Sequence, residues 1–277
     1  RRIIICGIFI TVILFLGNKV KKFTNQQITT KLRLHSEKRV NGMARKKIIF
    51  VIVEGPSDDE ALGMIFSRIY DSRKVYVHIM HGDITTARGV SPANVSSKIG
   101  NEIRTYASSN HYGKDDFDQI IHIVDMDGAF IPDEYVVEDR KCTGILYTTT
   151  GIFTNNRQGI LKRNQQKKAN ISKLCACQEI WKVPYRMFYM SCNLDHVLYG
   201  KQNSTDKDKE YDAFQFARKY KNEIPEFLSF ISKSDFSVIG NYKESWEYIK
   251  QELHSLQRHT NLGLCFTEQE LKDKFIK

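Results

Sequence analysis

Acidic residues stand at the ends of two apolar segments of this sequence. Glu54 comes directly after "FVIV", and Asp125 and Asp127 come after "IIHIV". Alternate side chains of a strand share a face, so the Asp-x-Asp pair can direct both carboxylates to one point. Converging carboxylates repel one another and raise each other's pKa, and a bound divalent cation relieves this cost. Hard oxygen ligands suit Mg²⁺ or Mn²⁺, so the pattern indicates metal-dependent phosphate chemistry.

Each acid has a simpler explanation when it is taken by itself. A Glu that ends a strand can cap the next helix, and an Asp-x-Asp also occurs by chance. Asp58 and Asp59 fall in the first turn of a predicted helix, where interaction with the helix dipole is favourable. We expect Asp58 to support the acidic site and Asp59 to be a helix-start residue.

The segments around these acids predict alternating strands and helices. Residues 46–54 form a run typical of a strand that is buried on both faces, and Ser57 and Glu60 have the spacing of a capping box. Strands are predicted at 46–54, 74–80 and 117–128, and helices at 57–71 and 91–109. This order predicts an α/β fold whose mainly parallel sheet gathers ligands at the carboxyl ends of its strands.

The second half of the chain has less regular patterning. Residues 129–155 are predicted to be irregular, 156–182 to be a basic helix and 184–191 to be a fourth strand. Further helices are predicted at 193–200, 206–222, 225–232 and 241–257. We therefore expect an α/β domain over 43–192 and a helical C-terminal region over 193–277 that packs on it.

The formal charge of +10 is concentrated in residues 1–42, which contain nine Lys or Arg residues and one acid. Of 42 basic and 32 acidic residues in the whole chain, 33 and 31 lie after position 42. The body of the protein is close to neutral, so the overall charge does not indicate a nucleic-acid partner.

The leader, residues 1–42, carries an apolar run at 3–17 that is shorter than the roughly 20 residues needed to span a bilayer. It is open to three interpretations: translation upstream of a true start at Met43, a signal anchor, or a cropped domain. We expect a start at Met43, with the leader outside the fold. The six cysteines form no disulfide pattern, and Cys175-Ala-Cys177 lacks the spacing of a zinc site. A cytoplasmic protein is expected.

The acidic motifs resemble those of the Toprim domain, which topoisomerases, primases and several nucleases share. "VEGPSDDEAL" is similar to its first motif and places the acids on Glu54 and Asp58, with Gly55 between them. "HGD" places a loop glycine on Gly82, and "IVDMDG" is similar to the Asp-x-Asp motif. The resemblance spans roughly residues 46–192 and implies a Toprim-like sheet with flanking helices. It also implies that Glu54, Asp125 and Asp127 bind Mg²⁺ and assist phosphodiester chemistry.

Two further groups of residues are candidates for the same site. Asp195, in "MSCNLDHVLYG", is a candidate extra metal ligand, although an Asp in the first turn of a helix explains it equally well. The basic helix is the best strip for a backbone phosphate, with a solvated helix face as the alternative. Its candidate residues are Arg157, Lys162, Arg163, Lys167 and Lys168.

These features predict a Mg²⁺-dependent nuclease that acts on RNA or DNA. The resemblance is greatest to stand-alone Toprim nucleases, including the overcoming-lysogenization-defect and RNA-maturing types. It implies a phage-defence or toxin effector and an ATPase or other regulatory partner. Two alternatives remain: a non-catalytic nucleic-acid-binding or sensor module, and a phosphotransfer enzyme that acts on a small nucleotide. The chain has no P-loop motif of its own.

Overall fold

The computed structural model describes residues 46–70, 75–238 and 240–266, with the side chains of Val75 and His81 excepted, and the backbone of two short strands near the N-terminus. The chain divides into two units, residues 1–45 and 46–277. In the first unit, β1 (Ile13–Leu16) and β2 (Lys19–Lys22) pair in antiparallel fashion. The rest of the predicted leader, 1–42, lies outside the described residues. Among the helices that the structure describes, none has the length and apolar character needed to cross a membrane.

The second unit alternates strands and helices. Its strands are β3 (Lys47–Val53), β4 (Val75–His81), β5 (Phe117–Asp125), β6 (Val136–Glu138), β7 (Ile145–Thr148), β8 (Gly151–Thr154), β9 (Glu179–Ile180) and β10 (Val183–Met190). Its helices are α1 (Pro56–Ile69), α2 (Val95–Ser109), α3 (Arg157–Cys175), α4 (Leu194–Tyr199), α5 (Asp206–Tyr220), α6 (Ile224–Lys233) and α7 (Tyr242–Ile249).

Five of these strands form the central sheet in the order β4-β3-β5-β10-β9. The first four strands in that order are parallel, and β9 is antiparallel to β10. The predicted α/β class with a mainly parallel sheet is confirmed. The chain moves from β3 outward to β4 and then returns to the other side of β3 to form β5. Strand order therefore reverses between β3 and β5, where open α/β sheets bind their ligands.

Two hydrophobic cores cover the faces of this sheet. Alternate residues of β3 point to opposite faces, with Ile49 and Val51 in one core and Phe50 and Ile52 in the other. The first core contains residues of α1, α4, α5 and α6, and the second contains residues of α2, α3 and α7. Side chains on both sides of residue 193 thus share the same cores. The proposed domain boundary at that residue stays a prediction.

A second, three-stranded sheet occupies the segment that was predicted to be irregular, 129–155. Its order is β6-β8-β7, with β6 parallel and β7 antiparallel to β8. That prediction was wrong because these strands are only three or four residues long, too short for a clear alternation of apolar and polar residues. Val136 and Ile152 pack with Ile160 of α3 in a small third core. The sheet therefore lies against the helix that follows it.

Candidate functional site

The carboxyl ends of β3 and β5 bring the first predicted acids together. Glu54 follows β3, Asp125 ends β5, and the backbone N–H of Asp125 donates to Glu54 Oε1 at 3.0 Å. Asp127 follows two residues later and has a positive φ of 49°. The backbone N–H of Asp127 donates to the carbonyl of Cys192, just after β10, at 2.7 Å. Two neighbouring strands of the sheet thus fix this turn.

Asp83 joins these acids from the loop after β4. Its carboxylate accepts hydrogen bonds from the backbone N–H and hydroxyl of Thr85 at 2.8 and 2.6 Å. The loop is tied to α3, because Asn170 Nδ2 donates to the Thr85 carbonyl at 2.7 Å and Gln166 Nε2 donates to the Ala87 carbonyl at 3.1 Å. Gly82, with φ 148°, lies at the turn into this loop. Loop and helix together place Asp83 at the sheet's carboxyl edge.

Three carboxylates form a group that could hold a metal ion. Glu54, Asp83 and Asp127 each offer one oxygen, and these oxygens all lie within 4.8 Å of one another. We call this group the acidic trio. Its membership differs from the predicted set, because Asp83 takes the place expected for Asp125 and Asp195. The sequence signal for Asp83 was its position directly after the loop glycine in "HGD", but only Gly82 was singled out there.

A lysine lies within the acidic trio. Lys167 Nζ is 2.5 Å from Asp127 Oδ2, 3.2 Å from Glu54 Oε1 and 3.7 Å from Asp83 Oδ2, and its side chain is fully buried. Lys167 was predicted to belong to a basic strip that meets a backbone phosphate, but its side chain is buried among three carboxylates instead. The reason is that α3 turns a polar stripe of Asn164, Lys167 and Asn170 towards the sheet edge.

A tyrosine and an arginine complete the surroundings of Asp127. Tyr147, on β7, donates its hydroxyl to Asp127 Oδ1 at 3.2 Å. Arg163, on α3, donates to the Tyr147 hydroxyl at 2.6 Å and to the Asp127 carbonyl at 2.8 Å. The sequence placed Arg163 on the basic helix but gave no signal for Tyr147, because its segment was predicted to be irregular.

The pKa values of the acids in this site are set mainly by two opposing influences: burial raises them and the positive charge of Lys167 lowers them. Burial raises the pKa of Glu54 to about 8, although Lys167 lowers it. Burial and the neighbouring Glu54 carboxylate hold the pKa of Asp125 well above its usual value. Burial, the largest single influence, would raise the pKa values of Asp83 and Asp127. Lys167 together with hydrogen bonds from Thr85 and Thr86 at Asp83, and Lys167 together with Arg163 at Asp127, outweigh it, so both pKa values are lowered.

The charges at this edge balance only while two of its carboxyls are protonated. Four carboxylates, those of the trio and Asp125, face two basic side chains, Lys167 and Arg163. If all six groups were ionised, the site would keep two uncompensated negative charges, and this excess contributes with burial to the raised pKa values of Glu54 and Asp125. A divalent cation supplies this charge, and carboxylate oxygens are its preferred donors, so the residues present fit Mg²⁺ or Mn²⁺.

Asp58 and Asp195 have structural partners of their own. Asp58, which is mostly buried, accepts a hydrogen bond from the backbone N–H of Gly55 at 2.8 Å and so caps the start of α1. Asp195 lies in the first turn of α4, with Lys209 Nζ at 3.9 Å, and burial raises its pKa to about 6. Both positions fit the helix-start explanation.

The other basic residues of the predicted strip separate into two groups. Arg157 binds the small sheet, because it donates to the carbonyls of Val136 and Asp133 at 2.7 and 2.8 Å. Lys162 is exposed, and Lys168 places its ammonium 5.9 Å from the centre of the Phe130 ring. Of the five candidates, Lys162 and Lys168 therefore remain the best placed to meet a phosphate from solvent.

Comparison with known proteins identified no relative of this chain. Protein-family models, curated proteins and solved structures were each compared with the chain, and none of them matches it. The function therefore has to be inferred from the chemistry of the site.

Proposed function

We propose that this protein is a Mg²⁺- or Mn²⁺-dependent nuclease of Toprim-like type. The observation that carries the proposal is the acidic trio, three carboxylate oxygens within 4.8 Å of one another at the point where strand order reverses. The strand order and the Glu54 and Asp127 positions are compatible with the Toprim resemblance of the sequence.

Each residue has a role in this proposal. Glu54, Asp83 and Asp127 would hold the cation, which when bound supplies Lewis acidity to a phosphodiester and to a water. Asp125 lies beside the trio and would add negative charge once a bound cation opposes the influences that raise its pKa. Lys167 and Arg163 provide positive charge at the same edge, and exposed Lys162 would meet the backbone of a nucleic acid.

A metal-dependent cleavage screen tests the proposal. Purified protein is incubated with tRNA, other RNA, single-stranded DNA and duplex DNA in Mg²⁺, Mn²⁺ or EDTA. We expect cleavage of at least one substrate in metal only, and a loss of at least about 100-fold in Glu54→Gln and Asp127→Asn. Asp115→Asn is the matched control, since the Asp115 side chain is 92% exposed. Cleavage that persists in both site variants would exclude this function.

A non-catalytic binding module is the second candidate, and Lys167 favours it. Because its ammonium already neutralises part of the trio, the cluster could be a permanent buried ion pair rather than a metal site. In that case nucleic-acid binding survives EDTA and no substrate is cut. The nucleic-acid substrate, the defence role, the ATPase partner and the cytoplasmic location remain predictions.

A further inference from the structure

The acidic trio already binds a cation, the ammonium of Lys167. Its nitrogen lies 2.5 Å from Asp127 Oδ2 and 3.2 Å from Glu54 Oε1, and the side chain is fully buried. The contacts come from residues far apart in the chain, since Lys167 follows Glu54 by 113 positions and Asp127 by 40. The tertiary structure thus selects a positive charge at this point.

A divalent cation would need the same carboxylate oxygens that this ammonium contacts. Mg²⁺ binds carboxylate oxygens at about 2.0–2.1 Å. An ion bound to Asp127 Oδ2 would therefore lie within about 5 Å of Lys167 Nζ, and because the three carboxylates are partly buried, repulsion between the positive charges is only partly screened. The ammonium in its present position therefore opposes the binding of a divalent cation.

Asp125 offers the departing ammonium a nearby acceptor. Its carboxylate is close enough to interact with Lys167, and no described basic side chain forms an ion pair with it at present. Lys167 also has a long, flexible side chain, so its ammonium can move while α3 stays in place.

We propose that Lys167 and a divalent cation compete for the same three carboxylates, so that metal loading releases the Lys167 ammonium towards Asp125 and the open edge of the sheet. Without metal, Lys167 neutralises part of the charge of the three carboxylates. After the metal has bound, the positive charge of Lys167 can interact with an anionic substrate. The inference rests on the metal site of the proposed function but is measured by binding, without any substrate.

The first experiment measures Mn²⁺ affinity in the absence of nucleic acid, by calorimetry or by the electron paramagnetic resonance of free Mn²⁺. We expect Lys167→Met, which keeps much of the side chain but removes its charge, to bind Mn²⁺ about tenfold more tightly than the wild type, or more. Lys173→Met, at an exposed position of the same helix, should bind as the wild type does. Equal or weaker binding by Lys167→Met overturns the proposal and identifies a permanent ion pair.

A second experiment uses the wild-type protein, in case Lys167→Met does not fold. The protein is treated with acetic anhydride in EDTA or in Mg²⁺, and the modification of each lysine is measured by mass spectrometry. We expect Mg²⁺ to increase the acetylation of Lys167 several-fold relative to Lys162, because the amine leaves its buried position. Unchanged labelling of Lys167 overturns the proposal.

These outcomes are separate from those of the cleavage screen. If Lys167→Met binds Mn²⁺ more tightly but the wild type cleaves no substrate, the proposed competition between Lys167 and the metal is supported and the nuclease function is excluded. If the wild type cleaves a substrate but Lys167→Met has unchanged Mn²⁺ affinity, the nuclease function is supported and the proposed competition is excluded.

Discussion

Asp127 is the most constrained residue of the site. Its backbone has a positive φ of 49°, its N–H and carbonyl are both hydrogen-bonded, and its carboxylate receives hydrogen bonds from Tyr147 and Lys167. A non-glycine residue with positive φ persists only where surrounding contacts hold it. The orientation of this carboxylate therefore depends on a tyrosine from the small sheet.

The Tyr147 hydroxyl gives a direct test of that dependence. Tyr147→Phe removes a donor to Asp127 Oδ1 and an acceptor for Arg163, and burial keeps the hydroxyl protonated by raising its pKa. We expect the free energy of unfolding to fall by about 1–2 kcal/mol. If the nuclease proposal holds, we expect kcat to fall about tenfold with little change in KM.

Tyr135→Phe is the matched control for this variant, because Tyr135 borders the same sheet but is 39% exposed. Its unfolding free energy should stay within about 0.5 kcal/mol of the wild type. Similar losses in the two variants would mean that the hydroxyl of Tyr147 does not position Asp127. Urea denaturation and initial-rate measurements supply both quantities.

Sequence reasoning identified Glu54 and Asp127 but not the full set around them. Both acids come within two residues of the end of an apolar strand, and that local pattern requires no knowledge of the rest of the fold. Asp83 and Lys167 join them only through tertiary contacts, because the loop after β4 docks on α3 through Gln166 and Asn170. The local sequence of α3 does not predict which face of the helix packs against the sheet.

At the scale of elements, α3 shows why that face was misassigned. The helix has a weak apolar stripe, so a basic surface helix was the natural prediction from its sequence. Its inward face instead carries Asn164, Lys167 and Asn170, whose polar groups meet the acidic edge and the adjoining loop. A buried polar stripe is stable only if its partners are in place, and those partners lie in other elements.

The turn that follows β5 is the element on which the site depends most. Gly128 has φ 65°, and a Cβ there would lie 2.5 Å from Leu256 Cδ2 and 3.1 Å from Ile152 Cδ1. We expect Gly128→Ala to lower the free energy of unfolding by about 2–3 kcal/mol through backbone strain and overpacking. Because Asp127 precedes it, Mn²⁺ affinity should also fall.

Gly144→Ala is the control for the same change, since a Cβ at Gly144 would meet nothing within 4 Å. Its unfolding free energy should change by less than about 0.5 kcal/mol. Chemical denaturation of both variants provides the comparison, and equal stabilities would contradict the role assigned to the turn.

At the scale of the whole second unit, the dependence of the unfolding free energy on pH is a sum of contributions from buried titratable groups. Some of these groups make the unfolding free energy rise with pH and others make it fall. The neighbours Asp195 and His196 illustrate this, because both are buried in α4. Burial raises the pKa of Asp195 to about 6 and lowers the pKa of His196 to about 4. The contribution of Asp195 is lost as the pH rises through 6, whereas that of His196 is lost as the pH falls from 6.5 towards 4.

Substitution of these two neighbours should therefore change the pH profile in opposite directions. Between pH 4 and 6 we expect Asp195→Asn to make the unfolding free energy rise more steeply with pH, by up to about 1.4 kcal/mol per pH unit. His196→Gln should make the same slope less positive. Thermal or urea unfolding across this range measures both slopes, and slopes that move together would refute the assigned directions.

The position of Lys167 after Asp127 has a consequence for the newly made chain. All three acids of the trio leave the ribosome before their internal counterion, which follows Asp127 by 40 residues. At usual rates of synthesis this delay is about 2–8 s. During that interval the three carboxylates have no internal counterion, and because α3 itself holds the loop that carries Asp83, the trio and its lysine come together in the same folding step.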